Sequence, residues 1–394
     1  MFVAAAAVSS CAVVAGYLLD FPSGAFTLEL LRERVSQRAG RLEVLHLIRP
    51  GRRGAWDRAE RLDVRAHVSE GRDLPGGDLQ GATNGLLRRP LPGPPHPAWD
   101  MWLLPARGNG EVQRLCFRIG HALVDGVGAA HLLAALLADQ PVPGPYPYRP
   151  VKPSSAVVGL AGMVGRALGQ AAFVRARSDL AAGGSVAWHA ADVPEGRLRD
   201  VALGYGVTVN DVFLAALSHA LRRWQQEQGG GPVRDVRTAM TMSVRTAGEV
   251  LTAGNRIVGV PLLLPASAPG PRQSMAGIVR QTRLLKRCGA GGLLFPILSR
   301  LPAGLLARQM RNLDLQWCVT HLNLREPFAV CGAPLLAASA FGTGWPWLTG
   351  FATLTRTTGT ARFALVHDSR LPGLDSMPQR WVQALDAVGE AMPS

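Results

Sequence analysis

The sequence predicts a mixed α and β fold built from two similar-sized lobes. Its 394 residues fit two domains of about 150 to 200 residues each. Hydrophobic residues make up 47% and charged residues 18%, so a packed core is required and a disordered or collagen-like chain is excluded. Strand-like alternation and helix-like periodicity interleave in both halves, the pattern of a layered α and β protein.

Each element has its own signal. The first nineteen residues, MFVAAAAVSSCAVVAGYLL, carry no charge, and no Lys or Arg precedes Arg32. Without a positive n-region, a secretory leader or a lipoprotein leader ending at Cys11 is disfavoured, and a buried first strand from Cys11 to Phe21 is expected. TLELLRERVSQRA, residues 27 to 39, places Leu28, Leu30, Leu31 and Val35 at roughly helical spacing with charges between them, an amphipathic helix. Prolines at 90, 92, 94, 95 and 97 break any ladder or helix. Trp99 to Leu104 and Val112 to Ile119 then read as strands, the second alternating Leu115, Phe117 and Ile119. Val127 to Asp139 is a strong helix. PVPGPYPYRPVKP, residues 141 to 153, is a linker because its prolines block both ladders and helices.

Beyond the linker, Ser154 to Leu180 reads as a Gly-interrupted helical region. Thr208 to Gln228 is a better helix, with Thr208 or Asn210 placed to cap it, Asp211 favouring its N-terminal dipole and Gly229 to Gly231 stopping it. Val236 to Val244 and Arg256 to Leu264 read as strands, and residues 271 to 312 as helical. Short strands and a helix from Gln379 to Met392 close the chain. The predicted organisation is a first lobe over 1–140, a Pro-rich linker with a crossover helix over 141–190, and a second lobe over 191–394.

Charge and cysteine usage narrow the function classes. The formal net charge is +14, but Lys152 and Lys286 are the only lysines and the arginines are scattered without a basic block, which disfavours a nucleic-acid groove. Five cysteines (Cys11, Cys116, Cys288, Cys318 and Cys331) lie far apart with no C-x-x-C pair, so neither a disulfide framework nor a zinc knuckle is predicted, and the cytoplasm is the expected compartment. No stretch after the first reaches 18 uncharged apolar residues, so no membrane span is expected. Apolar, Arg-interspersed segments at 154–180 and 289–312 suit either interfacial helices on anionic lipid at the inner membrane face or buried helices between lobes.

The chemistry concentrates at Arg118-Ile119-Gly120-His121-Ala122-Leu123-Val124-Asp125-Gly126. A histidine just past a strand, with a carboxylate four residues later at a helix start, offers a side chain that is mostly neutral at pH 7 yet able to take a proton. Gly120 and Gly126 permit a tight backbone path. On these residues alone, His121 is a general base or an ordinary strand-end histidine, and Asp125 a site residue or a helix cap. A metal on His121, Asp125 and His131 is disfavoured because no H-E-x-x-H or paired Cys/His spacing exists. G-x-S-x-G and phosphate-loop motifs are absent.

GHALVDGVGAAHLL resembles the H-H-x-x-x-D-G motif of the acyl-CoA-dependent acyltransferase superfamily, which includes chloramphenicol acetyltransferase and nonribosomal peptide condensation domains. PGPPHPAWDMWLL (92–104), TVNDVFLAALSHALRRW (208–224), Ser243-Val244-Arg245 and Gly254-Asn255-Arg256 are similar, in the same order, to segments of bacterial wax ester synthase/diacylglycerol acyltransferases. The resemblance implies two chloramphenicol acetyltransferase-like lobes with a tunnel between them, and no bound cofactor. An acyl thioester, from coenzyme A or an acyl or peptidyl carrier protein, would meet an alcohol or amine acceptor there. His121 would be the catalytic base, with no acyl-enzyme, and Asp125 and Gly126 the structural end of the motif. Asp125 is expected to pair with Arg245, since a carboxylate buried at that junction is costly without a cation; the alternative is a solvated arginine at a strand end. Asn255 is expected either to donate to the developing oxyanion or to be a turn residue.

Two departures bear on substrate. Gly120 stands where the motif has its first histidine, and Thr320 to Glu326 replaces a family stretch rich in Gly and Pro. His321 and Asn323 within it either line the acceptor pocket or lie on a rim loop. The favoured reading is an O-acyltransferase acting on an alcohol acceptor, with a specialised metabolite as one candidate beside a long-chain alcohol or a diacylglycerol. Amide formation of the condensation type, wax ester or triacylglycerol synthesis, and a catalytically degenerate binding lobe are the alternatives.

Overall fold

A computed structural model describes residues 13–48, 56–106, 112–142, 161–162, 165, 186–229, 231–301, 315, 317–324, 327–344 and 348–392. Two sheets carry the architecture. The first holds β1 (Val14–Phe21), β2 (Val68–Glu70), β3 (Trp99–Leu104), β4 (Gln113–Gly120) and one strand from late in the chain, β9 (Ala337–Thr343), in the order β9-β1-β4-β3-β2. The second holds β5 (Val186–Pro194), β6 (Val236–Ser243), β7 (Ile257–Leu264), β8 (Trp317–Asn323), β10 (Gly350–Arg356) and β11 (Thr360–Asp368), in the order β5-β11-β10-β8-β6-β7.

Every residue of β1 is buried, because the strand sits between β9 and β4 with apolar layers on both faces. Helix α1 (Leu28–Ala39) starts where Thr27 accepts the Leu30 N–H, and it buries Leu31, Val35 and Ala39, whereas Leu30 of the expected apolar set is exposed in the first turn. Helices α2 (Leu79–Leu87) and α3 (Gly126–Leu137) complete the first lobe. In the second lobe α4 (Glu195–Tyr205) leads into α5 (Val209–Glu227), whose start is a capping box: Thr208 and Asp211 satisfy each other's backbone N–H. Thr208, not Asn210, supplies the cap. Just past the helix, Gly229 has φ +66°, a left-handed position that suits glycine and ends the helix. The stretch from 271 divides into α6 (Pro271–Arg287) and α7 (Ala290–Ser299), and α8 (Met377–Glu390) closes the chain.

Three apolar cores follow from this layering. One fills the space between the first sheet and its helices, one the corresponding space in the second lobe, and the third joins the two sheets through Leu18, Cys116, Trp188, Ala239, Cys318, Phe341 and Phe351. Ion pairs reinforce this seam: Asp20 on β1 takes Arg114 at 2.6 Å and Arg362 of β11 at 2.6 Å. Burial alone would raise the Asp20 pKa, but hydrogen bonds and charge from both arginines hold it below the usual carboxylate range.

The expected division of the chain differs from this in two places. Strand β9 lies deep in the 191–394 segment yet pairs with β1, so the first sheet is completed by the second half of the chain. The 190/191 boundary also cuts through β5, whose pairing with β11 makes it an integral strand of the second sheet. Most of 154–180, and the part of 289–312 beyond residue 301, lie outside the described residues, as does Cys11. Among the described residues, no single helix is long and apolar enough to cross a membrane.

Candidate active site

His121 follows the last residue of β4, and its backbone N–H donates to the Val13 carbonyl at 2.8 Å. Four residues on, Asp125 caps α3 by accepting the Gly128 N–H at 2.9 Å. The turn between them is thus held by a strand at one end and a helix cap at the other.

The second lobe grips this turn. Arg245, just beyond β6, donates to Asp125 through Nη2 at 2.7 Å and Nε at 3.4 Å, and both side chains are fully buried. The same guanidinium donates to the carbonyls of Glu249, Thr252 and Gly254. Asp125 also accepts the Arg256 N–H at 2.8 Å. A buried pair with this many additional hydrogen bonds has its desolvation largely offset. Gly254, at φ +95°, donates to the Leu123 carbonyl at 2.6 Å, and Val124 and Gly254 form a parallel bridge. Backbone and side chains therefore stitch the turn to the 245–256 segment.

That segment delivers Asn255 to His121. The Asn255 Nδ2 donates to the His121 carbonyl at 2.6 Å, while its Oδ1 lies 2.9 Å from His121 Nδ1. A carbonyl only accepts, so the amide nitrogen must face it and the amide oxygen must face the ring. Nδ1 then carries the proton, which places the basic lone pair on Nε2. Burial holds the imidazole pKa below its ordinary value, opposed by hydrogen bonding to the backbone and Asn255 and by the Asp125 charge, and the ring is neutral at pH 7. Asn255 is not among the residues lining the cavity next to His121; its amide contacts the His121 carbonyl and ring instead.

His121 lines a cavity of about 120 Å³ between the sheets. Strand alternation puts Ala239, Thr241 and Ser243 of β6 on its wall, facing Ala15, Gly16, Ala340 and Phe341 of the first sheet. Gly126 and His321 line it too, whereas Asn323 does not. Cys318 is also on the wall, but burial pushes its thiol up to about 12, leaving it protonated and a poor nucleophile at neutral pH. At Gly120, a Cβ would lie 3.3 Å from the Ala98 Cβ, so this chain has little room for the motif's first histidine. No group of three or more potential metal ligands occurs among the described residues.

Residues 18–183 match the family model of the wax ester synthase/diacylglycerol acyltransferase catalytic domain. Over these residues the chain is similar to that catalytic domain. Two Mycobacterium tuberculosis relatives, each named for diacylglycerol O-acyltransferase activity, extend the likeness. One is 31% identical over 38% of this chain and 36% of its own length, the other 26% over 61% and 60%. The chain thus spans roughly a third to three-fifths of these relatives.

Among solved structures, the wax ester synthase/diacylglycerol acyltransferase from Marinobacter aquaeolei VT8 superposes with a TM-score of 0.64 at 20% identity, covering 96% of this chain and 94% of that one. The first condensation domain of the CDA synthetase superposes with a TM-score of 0.65 at 15% identity, covering 99% and 94%. The chain therefore has the two-lobed, chloramphenicol acetyltransferase-like fold. Sequence reading met Thr241, Ser243 and Thr320 only as members of longer segments and assigned none of them to a cavity wall. The local trace on β6 is the run of small and hydroxyl-bearing side chains at alternate positions.

Proposed function

We propose that this wax ester synthase-like chain transfers an acyl group from a thioester to an alcohol inside the inter-sheet cavity, with His121 as general base. The observation that carries the reading is a buried neutral imidazole, fixed in one tautomer by Asn255, on the wall of a cavity between two lobes. Nε2 takes the acceptor's hydroxyl proton as its oxygen bonds to the thioester carbonyl carbon. Collapse of the tetrahedral intermediate breaks the carbon–sulfur bond, and the imidazolium returns the proton to the departing thiolate. An ester and a free thiol result, and the base is regenerated. A nucleophilic residue is unnecessary because the thiol is already a good leaving group; the protonated Cys318 thiol fits that picture. Coenzyme A or a carrier protein supplies the thioester, and no further cofactor takes part.

Thiol release from a panel of acyl-CoA donors, with alcohol, diacylglycerol or amine acceptors and mass spectrometry of the products, tests this reading. The expected result is thiol release that requires an alcohol, with the matching ester formed. Amide as the preferred product would replace the reading with condensation-type chemistry, and no acceptor-dependent release from any donor would end it.

A further inference from the structure

The cavity is graded along its length. Asn255, which holds the His121 ring, lies two residues before Ile257, and Ile257 pairs with Ser243 at the end of β6. Around that end the wall carries the hydroxyls of Ser243, Thr241 and Thr320, the latter two hydrogen-bonded at 2.7 Å. Four residues back along β6, about 13 Å at strand rise, Ala239 pairs with Cys318, which pairs with Phe351 on its other side. Here the described wall consists of hydrocarbon and one protonated thiol, with Leu348, Phe351 and Phe341 lining it.

Phe341 owes its position to Gly16. The two residues pair across β9 and β1, and a Cβ at position 16 would fall 2.4 Å from the Phe341 Cζ, so the ring rests directly on the glycine backbone. Any larger residue at 16 would push the ring away. The volume sets a scale: about 120 Å³ is somewhat less than an apolar protein cavity of ~150 Å³ that accommodates benzene, a ligand of about six carbons.

We infer that the apolar end holds the acyl tail of a short-chain thioester, of the butanoyl-to-octanoyl class, and that Phe341, seated on Gly16, is its end-stop. This rests on the acyl-transfer reading above. An acyl tail has no polar atom beyond its carbonyl, so it suits the end without hydroxyls. A hydroxylated acceptor finds hydrogen-bond partners at the His121 end. A palmitoyl tail exceeds the space that Phe341, Phe351 and Leu348 enclose.

The test is kcat/KM for acetyl-, butanoyl-, hexanoyl-, octanoyl-, dodecanoyl- and palmitoyl-CoA with one alcohol, in wild type, Phe341→Ala, Phe341→Leu and Ala239→Leu, and then for one donor with alcohols of increasing length. Wild type is expected to prefer hexanoyl over palmitoyl by roughly tenfold or more, the order expected when several methylenes lose their burial. Phe341→Ala should move the optimum to longer chains, Phe341→Leu should move it less, and Ala239→Leu should move it to shorter ones. Opposite shifts cannot come from a general loss of folding, and the milder two variants carry the test if Phe341→Ala is insoluble. Palmitoyl used as well as hexanoyl by wild type, a length profile unmoved by the variants, or variants that shift alcohol length instead would overturn the inference while leaving acyl transfer in place. Absence of turnover with every donor would remove both.

Discussion

His121→Ala is expected to lower kcat/KM by about 10²–10⁴-fold, the usual contribution of a positioned general base, while leaving the protein folded. The ring is buried at the end of β4, hydrogen-bonded to Asn255 and beside an existing cavity. Removing the ring enlarges that cavity and frees the Asn255 amide oxygen, a modest cost beside the whole seam between the sheets. Circular dichroism and thermal melting should therefore stay close to wild type while acceptor-dependent thiol release collapses. Asn255→Ala should cause a smaller fall in kcat at nearly constant KM, because the ring remains but its Nδ1–H tautomer is no longer enforced. Activity of His121→Ala within a few-fold of wild type would remove the residue from the chemistry.

Asp125→Ala and Arg245→Ala should each act on stability instead. Both side chains are fully buried, and removing either leaves the other charge without its partner, a loss of about 3–5 kcal/mol. Arg245→Ala also strands the carbonyls of Glu249, Thr252 and Gly254, and Asp125→Ala removes the cap of α3 and the acceptor for the Arg256 N–H. Because these bonds join the His121 turn to the second lobe, the expected phenotype is a sharp fall in soluble yield and in unfolding midpoint. The double variant should be no worse than the poorer single one, since the pair is lost once only. Two independent, additive losses would show that the two side chains stabilise the protein separately.

How much of this was legible in the sequence depends on how local the determinant is. The strand, turn and helix from residue 113 to 137 could be read off because alternation, a glycine turn and an aspartate cap are short-range signals. The Thr208 to Gln228 helix was readable for the same reason, through its cap and apolar face. The Asp125–Arg245 pair spans 120 residues and came from motif resemblance, with burial cost explaining why a cation is needed. Strand β9 was not assignable: AASAFGT is mostly small residues around one Phe, and nothing local selects β1 as its partner. The direction of the Asn255 amide was not legible, because a glycine–asparagine step signals only a turn, whereas that direction is set by a carbonyl 134 residues away. The Asp20–Arg362 bridge, at a separation of 342 residues, left no trace in spacing at all.

The proton-accepting role of a neutral imidazole at position 121 is tested most directly by kcat/KM as a function of pH, which reports ionisations of the free enzyme. Since burial disfavours the imidazolium, the folded-state pKa lies below the ordinary histidine value near 6.5, and the base stays competent as pH falls past that point. The predicted profile has one acid limb with its midpoint below 6.5, and the residual activity of His121→Ala shows no such limb. A wild-type profile flat through that range, or the same limb persisting in His121→Ala, would contradict the assignment.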